Sequence, residues 1–204
     1  MQSLNRLKSE RPRKAYDFYE TPIELARTAL TRLDKDTYMN NLSVLDVGAG
    51  SGVWGNAYKD EILDNSCLWG LDIQELPKPA SYDAWIYGTD FLVIEFLSDR
   101  FDLIMGNPPY SLAEEFVRKS YRLLEEKGQV FFLLRLAFLE SKKRHFGLFT
   151  DHPPKRVYVL SRRPSFFTTK DGSKTTDALS YAMFLWQKGW TGKTELDWLY
   201  WEYD

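Results

Sequence analysis

The run Ser43-Val-Leu-Asp-Val47, followed at once by Gly48-Ala-Gly-Ser-Gly52, limits the folds open to this chain more than any other part of it. Val44, Leu45 and Val47 without alternation read as a strand buried on both faces. Three glycines in the next five residues give a turn that accepts positive backbone torsions and keeps Cβ atoms away from a ligand. A helix to about residue 63 follows. Strand, glycine turn and helix in succession begin a parallel α/β sheet, whose ligands bind at the carboxyl ends of the strands.

The remaining pattern extends that sheet. Apolar runs at 67–72, 84–87, 101–105, 129–134, 156–160 and 181–186 read as six further strands. A helix is expected after Thr21-Pro22, with Thr21 as N-cap and Leu25, Ala26, Ala29, Leu30 and Leu33 on its apolar face. Another is expected from Leu112 to about Glu126, opened by a Ser111–Glu114 capping box and ended by Gly128. The fold class is therefore α/β: a doubly wound, mostly parallel seven-stranded sheet with helices on both faces. Its last strand runs antiparallel, in a hairpin at the sheet edge. Residues 1–14 read as a basic flexible arm, and 15–204 as a single domain.

Composition narrows the function. A net charge of −2 gives no global affinity for nucleic acid, so any such contact needs local patches. Two exist. One lies in the first fourteen residues, around Arg6, Lys8, Arg11, Arg13 and Lys14; the other includes Lys142, Lys143, Arg144, Arg162 and Arg163. Cys67 is the sole cysteine and His145 and His152 the sole histidines, which leaves no metal-ligand spacing. Cys67 is expected in the core. With no leader or membrane-length apolar run, the reading is a soluble cytoplasmic protein, monomer or homodimer.

The strand ends carry the chemistry. Asp46, Gly48, Gly50 and Gly52 form the first candidate binding group, with Asp46 placed to accept a cationic amino group. Asp72, with Ile73 beside it, ends the second strand about twenty residues past the last glycine, where a carboxylate accepts ribose hydroxyls. Asp90 ends the third and suits an adenine amino group, with Phe91 against the ring. Gly50, Gly52 and Gly55 also satisfy the dinucleotide spacing G-x-G-x-x-G. These residues alone specify an adenosine-type ligand without naming it.

Asn107-Pro-Pro-Tyr110, directly after the fourth strand, carries the next step. Together with the glycine turn it resembles the class I S-adenosylmethionine-dependent methyltransferases, and within them the N6-adenine, amino-methylating branch in its short bacteriophage or bacterial form. The resemblance runs from Tyr19 to about Trp186 and implies a Rossmann-like sheet. It also implies S-adenosylmethionine as methyl donor, S-adenosylhomocysteine as product, and no metal. Asn107, Pro108, Pro109 and Tyr110 are then catalytic, with Asn107 also touching the cofactor. Tyr19, Thr21 and Pro22 cover its methionine end. A conjugated amine is a weak nucleophile; the Asn107 oxygen and the Pro108 carbonyl, accepting its two hydrogens, favour a pyramidal nitrogen and stabilise its growing charge. Tyr110 offers one stacking surface to an extruded base, and Phe166 before Phe167 the second.

Relatives of restriction type carry a long target-recognition region, for which there is no room here. The basic residues Lys142, Lys143, Arg144, Arg162 and Arg163 are left to grip phosphates, with DNA ahead of RNA as partner. Release-factor glutamine N5-methyltransferases share the tetrapeptide and remain an alternative. A non-catalytic nucleic-acid-binding relative is a further one. A dehydrogenase ranks lower, and a cytosine-C5 enzyme needs a nucleophilic cysteine that Cys67 does not supply.

Overall fold

The computed structural model describes residues 19–33, 41–62, 65–96, 100–168, 174–176 and 178–203. The basic arm at 1–14 lies outside them. The chain opens with α1 (Ile23–Leu30) and enters the sheet at β1 (Ser43–Val47). Then come α2 (Val53–Glu61), β2 (Cys67–Leu71), β3 (Ala84–Ile86), β4 (Phe101–Gly106), α3 (Ala113–Leu123) and β5 (Leu124–Arg135). Two short helices, α4 (Lys142–Phe146) and α5 (Leu148–Asp151), precede β6 (Arg156–Leu160). A small hairpin of β7 (Phe167–Thr168) and β8 (Lys174–Thr175) leads to β9 (Tyr181–Gln187) and β10 (Glu195–Leu199).

Eight strands form one sheet in the order β10-β6-β9-β5-β4-β1-β2-β3. Within it β9 alone runs antiparallel to its neighbours, β5 and β6. Side chains alternate cleanly across the central strands. Met105, Phe131 and Leu133 pack with Leu25 of α1 and Trp54 of α2, whereas Ile104, Val130, Phe132 and Leu134 pack with Phe116 and Val117 of α3. Both faces are covered, which is why these strands read as continuous apolar runs.

Several local expectations are corrected. An eighth strand, β10, pairs in parallel with β6 and makes β6 an interior strand. Its sequence, Glu-Leu-Asp-Trp-Leu, is mostly exposed and carries little apolar signal. The capping box does not form. Tyr110–Leu112 make a 3-10 turn in which the Leu112 amide donates to the Pro109 carbonyl, so Ser111 is already inside a turn and Leu112 occupies the N-cap of α3. That helix ends at Leu123 rather than near Glu126. Gly128 serves a β-irregularity instead: pairing shifts register between Phe101 and Leu103, and a Cβ on Gly128 would stand 2.9 Å from the Phe101 carbonyl. Pro22, not Thr21, caps α1. Cys67 is exposed, since it begins β2 at the sheet's rim.

The glycine pattern has a packing cause of its own. Tyr82, in the segment before β3, lies fully buried beneath the turn. A Cβ on Gly55 would meet its ring at 2.2 Å, and a Cβ on Gly52 would meet Pro79 at 2.6 Å. Gly70 of β2 leaves the same kind of room for Trp85. The dinucleotide-like spacing is thus met by Gly52 and Gly55 because ring and proline need space. Gly55→Ala should destabilise the fold by about 2 kcal/mol through overpacking, although alanine favours a helix by about 1 kcal/mol. Urea denaturation measures the sign.

Candidate active site

The turn after β1 is wired to the end of β2. Gly48, Gly50 and Gly52 have φ of 70, 55 and 87°. The Gly48 and Ala49 amides donate to the Leu71 carbonyl, Gly50 donates to Asp72 Oδ2 at 2.8 Å, and Gly52 donates to the Ala49 carbonyl. Asp72 is 3% exposed, and its Oδ1 accepts the Gln74 amide at 2.8 Å. Four amides of the turn are therefore spent inside the protein. A pyrophosphate-binding turn aims such amides at its ligand, so this one is built differently.

Above the turn lies a cavity of about 380 Å³. Tyr19, Thr21, Gly48, Gly50, Asp72, Ile73, Asp90, Phe91 and Asn107 line it, bringing together most residues singled out in the sequence. Ile73 is 45% exposed and offers an apolar face. Asp90 Oδ1 accepts the Leu92 amide at 2.8 Å, and Phe91 is held against Phe116 with centroids 5.0 Å apart. Two carboxylates, two apolar side chains and a close glycine backbone fit an adenosine. Pro22, Asp46 and Gly52 do not line the cavity.

Asp46 sits behind the turn rather than within the cavity. It is fully buried; its Oδ2 accepts the Tyr82 hydroxyl at 2.5 Å, and its Oδ1 has no partner. The Gly55 amide donates to the same tyrosine oxygen at 3.1 Å. Burial pushes the Asp46 carboxyl up to about 7, with nearby Asp72 adding to the rise and the Tyr82 hydrogen bond opposing it. The acidic group that does line the cavity beside Ser51 is Glu20, hydrogen-bonded to the Ser51 hydroxyl. Glu20 escaped the sequence reading, and only its neighbourhood to Tyr19 and Thr21 pointed to it.

Asn107 leaves the end of β4 with its amide held in one orientation. Nδ2 donates to the Tyr19 carbonyl at 2.8 Å and to Thr21 Oγ1 at 3.3 Å. A main-chain carbonyl only accepts, so the nitrogen must face it. Oδ1 is thereby turned the other way, buried and without a partner. Thr21 Oγ1 also accepts the Trp54 indole N–H at 3.3 Å, which ties this clamp to α2. Pro108 is buried, and Pro109 holds φ at −54°.

Tyr110 belongs to an aromatic cluster. Its ring stacks on Tyr19 at 5.6 Å and 15°, touches Tyr181 at 5.5 Å, and carries the Arg135 guanidinium 4.9 Å from its centroid. Phe166, the second stacking surface suggested by the sequence, packs on Tyr19 and Tyr181 and is 5% exposed. Phe167 begins β7. The C-terminal segment braces this region: Trp201 Nε1 donates to the Arg162 carbonyl, and the Ser165 amide donates to the Tyr203 hydroxyl.

The basic residues divide. Lys142, Lys143 and Arg144 lie on α4. Lys143 reaches Glu114 at 3.8 Å, while Arg144 stacks on Phe138 and bonds its carbonyl. Arg162 covers the Tyr203 ring at 4.8 Å, and Arg163 is exposed. Both follow β6, which β9 separates from β5. Among the described residues no cluster of three or more His, Cys, Asp or Glu side chains is arranged to hold a metal ion. No helix there is long and apolar enough to cross a membrane.

Comparison with solved structures gives the architecture its class: the fold is that of the class I S-adenosylmethionine-dependent methyltransferases. A Listeria monocytogenes protein provisionally described as one of these superposes with a TM-score of 0.65 at 14% identity, over 93% of this chain and 68% of that one. A Pyrococcus horikoshii protein, provisionally described as an RNA methyltransferase, gives 0.63 at 14% identity, over 88% and 90%. TrmN from Thermus thermophilus gives 0.56 at 19% identity over 80% of this chain, which spans about half (48%) of TrmN. No protein-family model and no curated protein sequence matches the chain.

The raised carboxyl of Asp46 has a measurable consequence. Its folded pKa exceeds the ordinary value, so the stability it confers is full below pH 3.8 and is lost as pH rises through about 7. Over that window the loss amounts to about 4 kcal/mol. Asp46→Asn should remove it. Denaturation of both proteins from pH 4 to 8 should show the variant gaining on the wild type as pH rises.

Proposed function

We propose that this chain is an S-adenosylmethionine-dependent methyltransferase acting on the N6 amino group of adenine in nucleic acid, DNA ahead of RNA. The observation that carries the reading is Asn107 Oδ1, an oriented, buried acceptor with no partner. Leaving such an atom unpaired costs about 1–3 kcal/mol. An amino hydrogen of the acceptor repays that cost.

The cavity residues divide the cofactor between them. Asp72 takes the ribose hydroxyls, Asp90 the adenine amino group, and Ile73 and Phe91 the faces of the ring. Glu20, in place of Asp46, supplies the negative charge for the amino end, under the cover of Tyr19 and Thr21. When bound, the cofactor supplies an electrophilic methyl group on a sulfonium. Asn107 Oδ1 and the Pro108 carbonyl each accept one hydrogen of the target amine. They pull it pyramidal and stabilise the positive charge that grows there, so they bind the transition state more tightly than the ground state. Asn107 removes no proton, since an amide oxygen is too weak a base; the methylated nitrogen releases its extra proton to solvent once the carbon–sulfur bond has broken. Its precision comes from the Tyr19 and Thr21 clamp and from two prolines that fix the turn. The aromatic cluster around Tyr110 supplies the stacking surface for an extruded base.

DNA is placed first on the likeness of the tetrapeptide to phage-type adenine enzymes. The description of the Pyrococcus neighbour keeps RNA in the assay. Transfer of labelled methyl groups to double-stranded DNA, single-stranded DNA and RNA, followed by nucleoside digestion, should yield N6-methyladenine in one pool. Methylglutamine on a protein substrate overturns the reading. Asn107→Ala should cut turnover by about 10²–10³-fold and leave cofactor affinity nearly intact; loss of cofactor affinity instead would refute its role. Asp72→Ala should weaken cofactor binding in calorimetry by about tenfold or more.

A further inference from the structure

β5 ends at Arg135, beside the β4 end from which Asn107 departs. The Arg135 guanidinium lies over Tyr110, and its Nε is buried with no hydrogen-bond partner. Arg144 approaches from α4. Its Nε donates to the Phe138 carbonyl at 2.7 Å and an Nη donates to the Glu140 carbonyl at 3.2 Å, while its plane rests on the Phe138 ring at 4.5 Å. Both arginines line one cleft of about 160 Å³, with Tyr110 and Phe138 between them. Neither forms a salt bridge with a carboxylate among the described residues.

Two fixed cations without counter-charge in a half-apolar cleft make a site for an anion. The cost of the buried Nε is lifted only by an acceptor that reaches into the cleft. The Arg135 fork matches the oxygens of a phosphate in number and geometry, and Arg144, whose Nε and one Nη are held by main-chain carbonyls, adds its other Nη. An extruded nucleotide carries its own flanking phosphates to the rim of the site, and this cleft shares Tyr110 with that rim. We propose that Arg135 and Arg144 form a subsite for a phosphodiester flanking the methylated adenosine. Arg135 also fixes the attitude of the Tyr110 ring. The inference rests on the reading of the acceptor as a nucleotide.

The test begins with an oligonucleotide in which the methylated adenine has been mapped by labelled transfer. Neutral methylphosphonates are then placed one at a time around that adenine, and KM is measured for wild type and Arg135→Gln. The variant should raise KM about ten- to a hundredfold. It should also lower the slope of log affinity against log salt by about 0.7–0.9, with cofactor affinity in calorimetry unchanged. One methylphosphonate should weaken the wild type to a similar degree and cost the variant nothing further. Additive losses at every position overturn the subsite. Should Arg135→Gln fail to bind cofactor, Arg144→Gln is read in the same cycle with the same expectation. Wild-type protein that methylates no adenine removes both the subsite and the reading beneath it. Methylated adenine with additive losses removes the subsite alone.

Discussion

Beneath the glycine turn the Tyr82 hydroxyl donates to Asp46 and accepts from the Gly55 amide, joining the end of β1, the start of α2 and the approach to β3 at one oxygen. The ring that delivers this hydroxyl occupies space that side chains at 55 and 70 would fill. Those glycines are therefore fixed by what lies under the turn. Gly48 and Gly50 belong to its upper side, where the cavity is. Because Asp46 is fully buried, with one side-chain hydrogen bond from Tyr82 to set against the loss of solvent, it favours its neutral form. The same enclosure keeps it away from a ligand.

Much of the sheet was legible from β1, β2, β4, β5 and β9, because strands covered on both faces must be apolar throughout. β10 was not, since an exposed edge strand has no interior to announce itself. The cavity's floor was legible too: Asp72 and Asp90 follow strands, and strand ends are where an open parallel sheet presents ligands. Spacing alone placed Asp46 there as well, and it failed because only the alternation of side chains along β1 decides which way a carboxylate turns. Tyr82 comes from an irregular segment with no periodicity to read. Arg135 looked like an interruption in an apolar run; that its Nε is buried depends on Tyr110, a contact between separate elements. Phe166 shares Tyr19 and Tyr181 with Tyr110, a contact between segments far apart in the chain that no local pattern announces.

The fold serves many acceptors, and this one divides its labour spatially. β1, β2 and the segment after β3 carry the groups suited to an adenosine. β4, β5 and α4 carry Asn107, Tyr110, Arg135 and Arg144. The aromatic cluster forms the seam between the two halves, since Tyr19 both stacks on Tyr110 and supplies the carbonyl that holds Asn107. Beyond β9, the loop containing Arg162 and Phe166 is braced by Trp201 and Tyr203, so its shape is set by residues that follow the sheet's last strand.

The bond between the Asn107 amide and the Tyr19 carbonyl spans 88 positions of sequence. Closing so long a loop is slow compared with forming any one βα unit. Residue 19 is synthesised well before residue 107, and must then wait for β1 and β4 to pair before its carbonyl has anything to hold. Until that closure the Asn107 amide is free to rotate, and its oxygen has no defined direction. A chain with a finished sheet but an undocked leading segment would leave that oxygen unaimed. The direction of the Asn107 oxygen is thus set by a contact between distant parts of the chain and not by the turn after β4 alone.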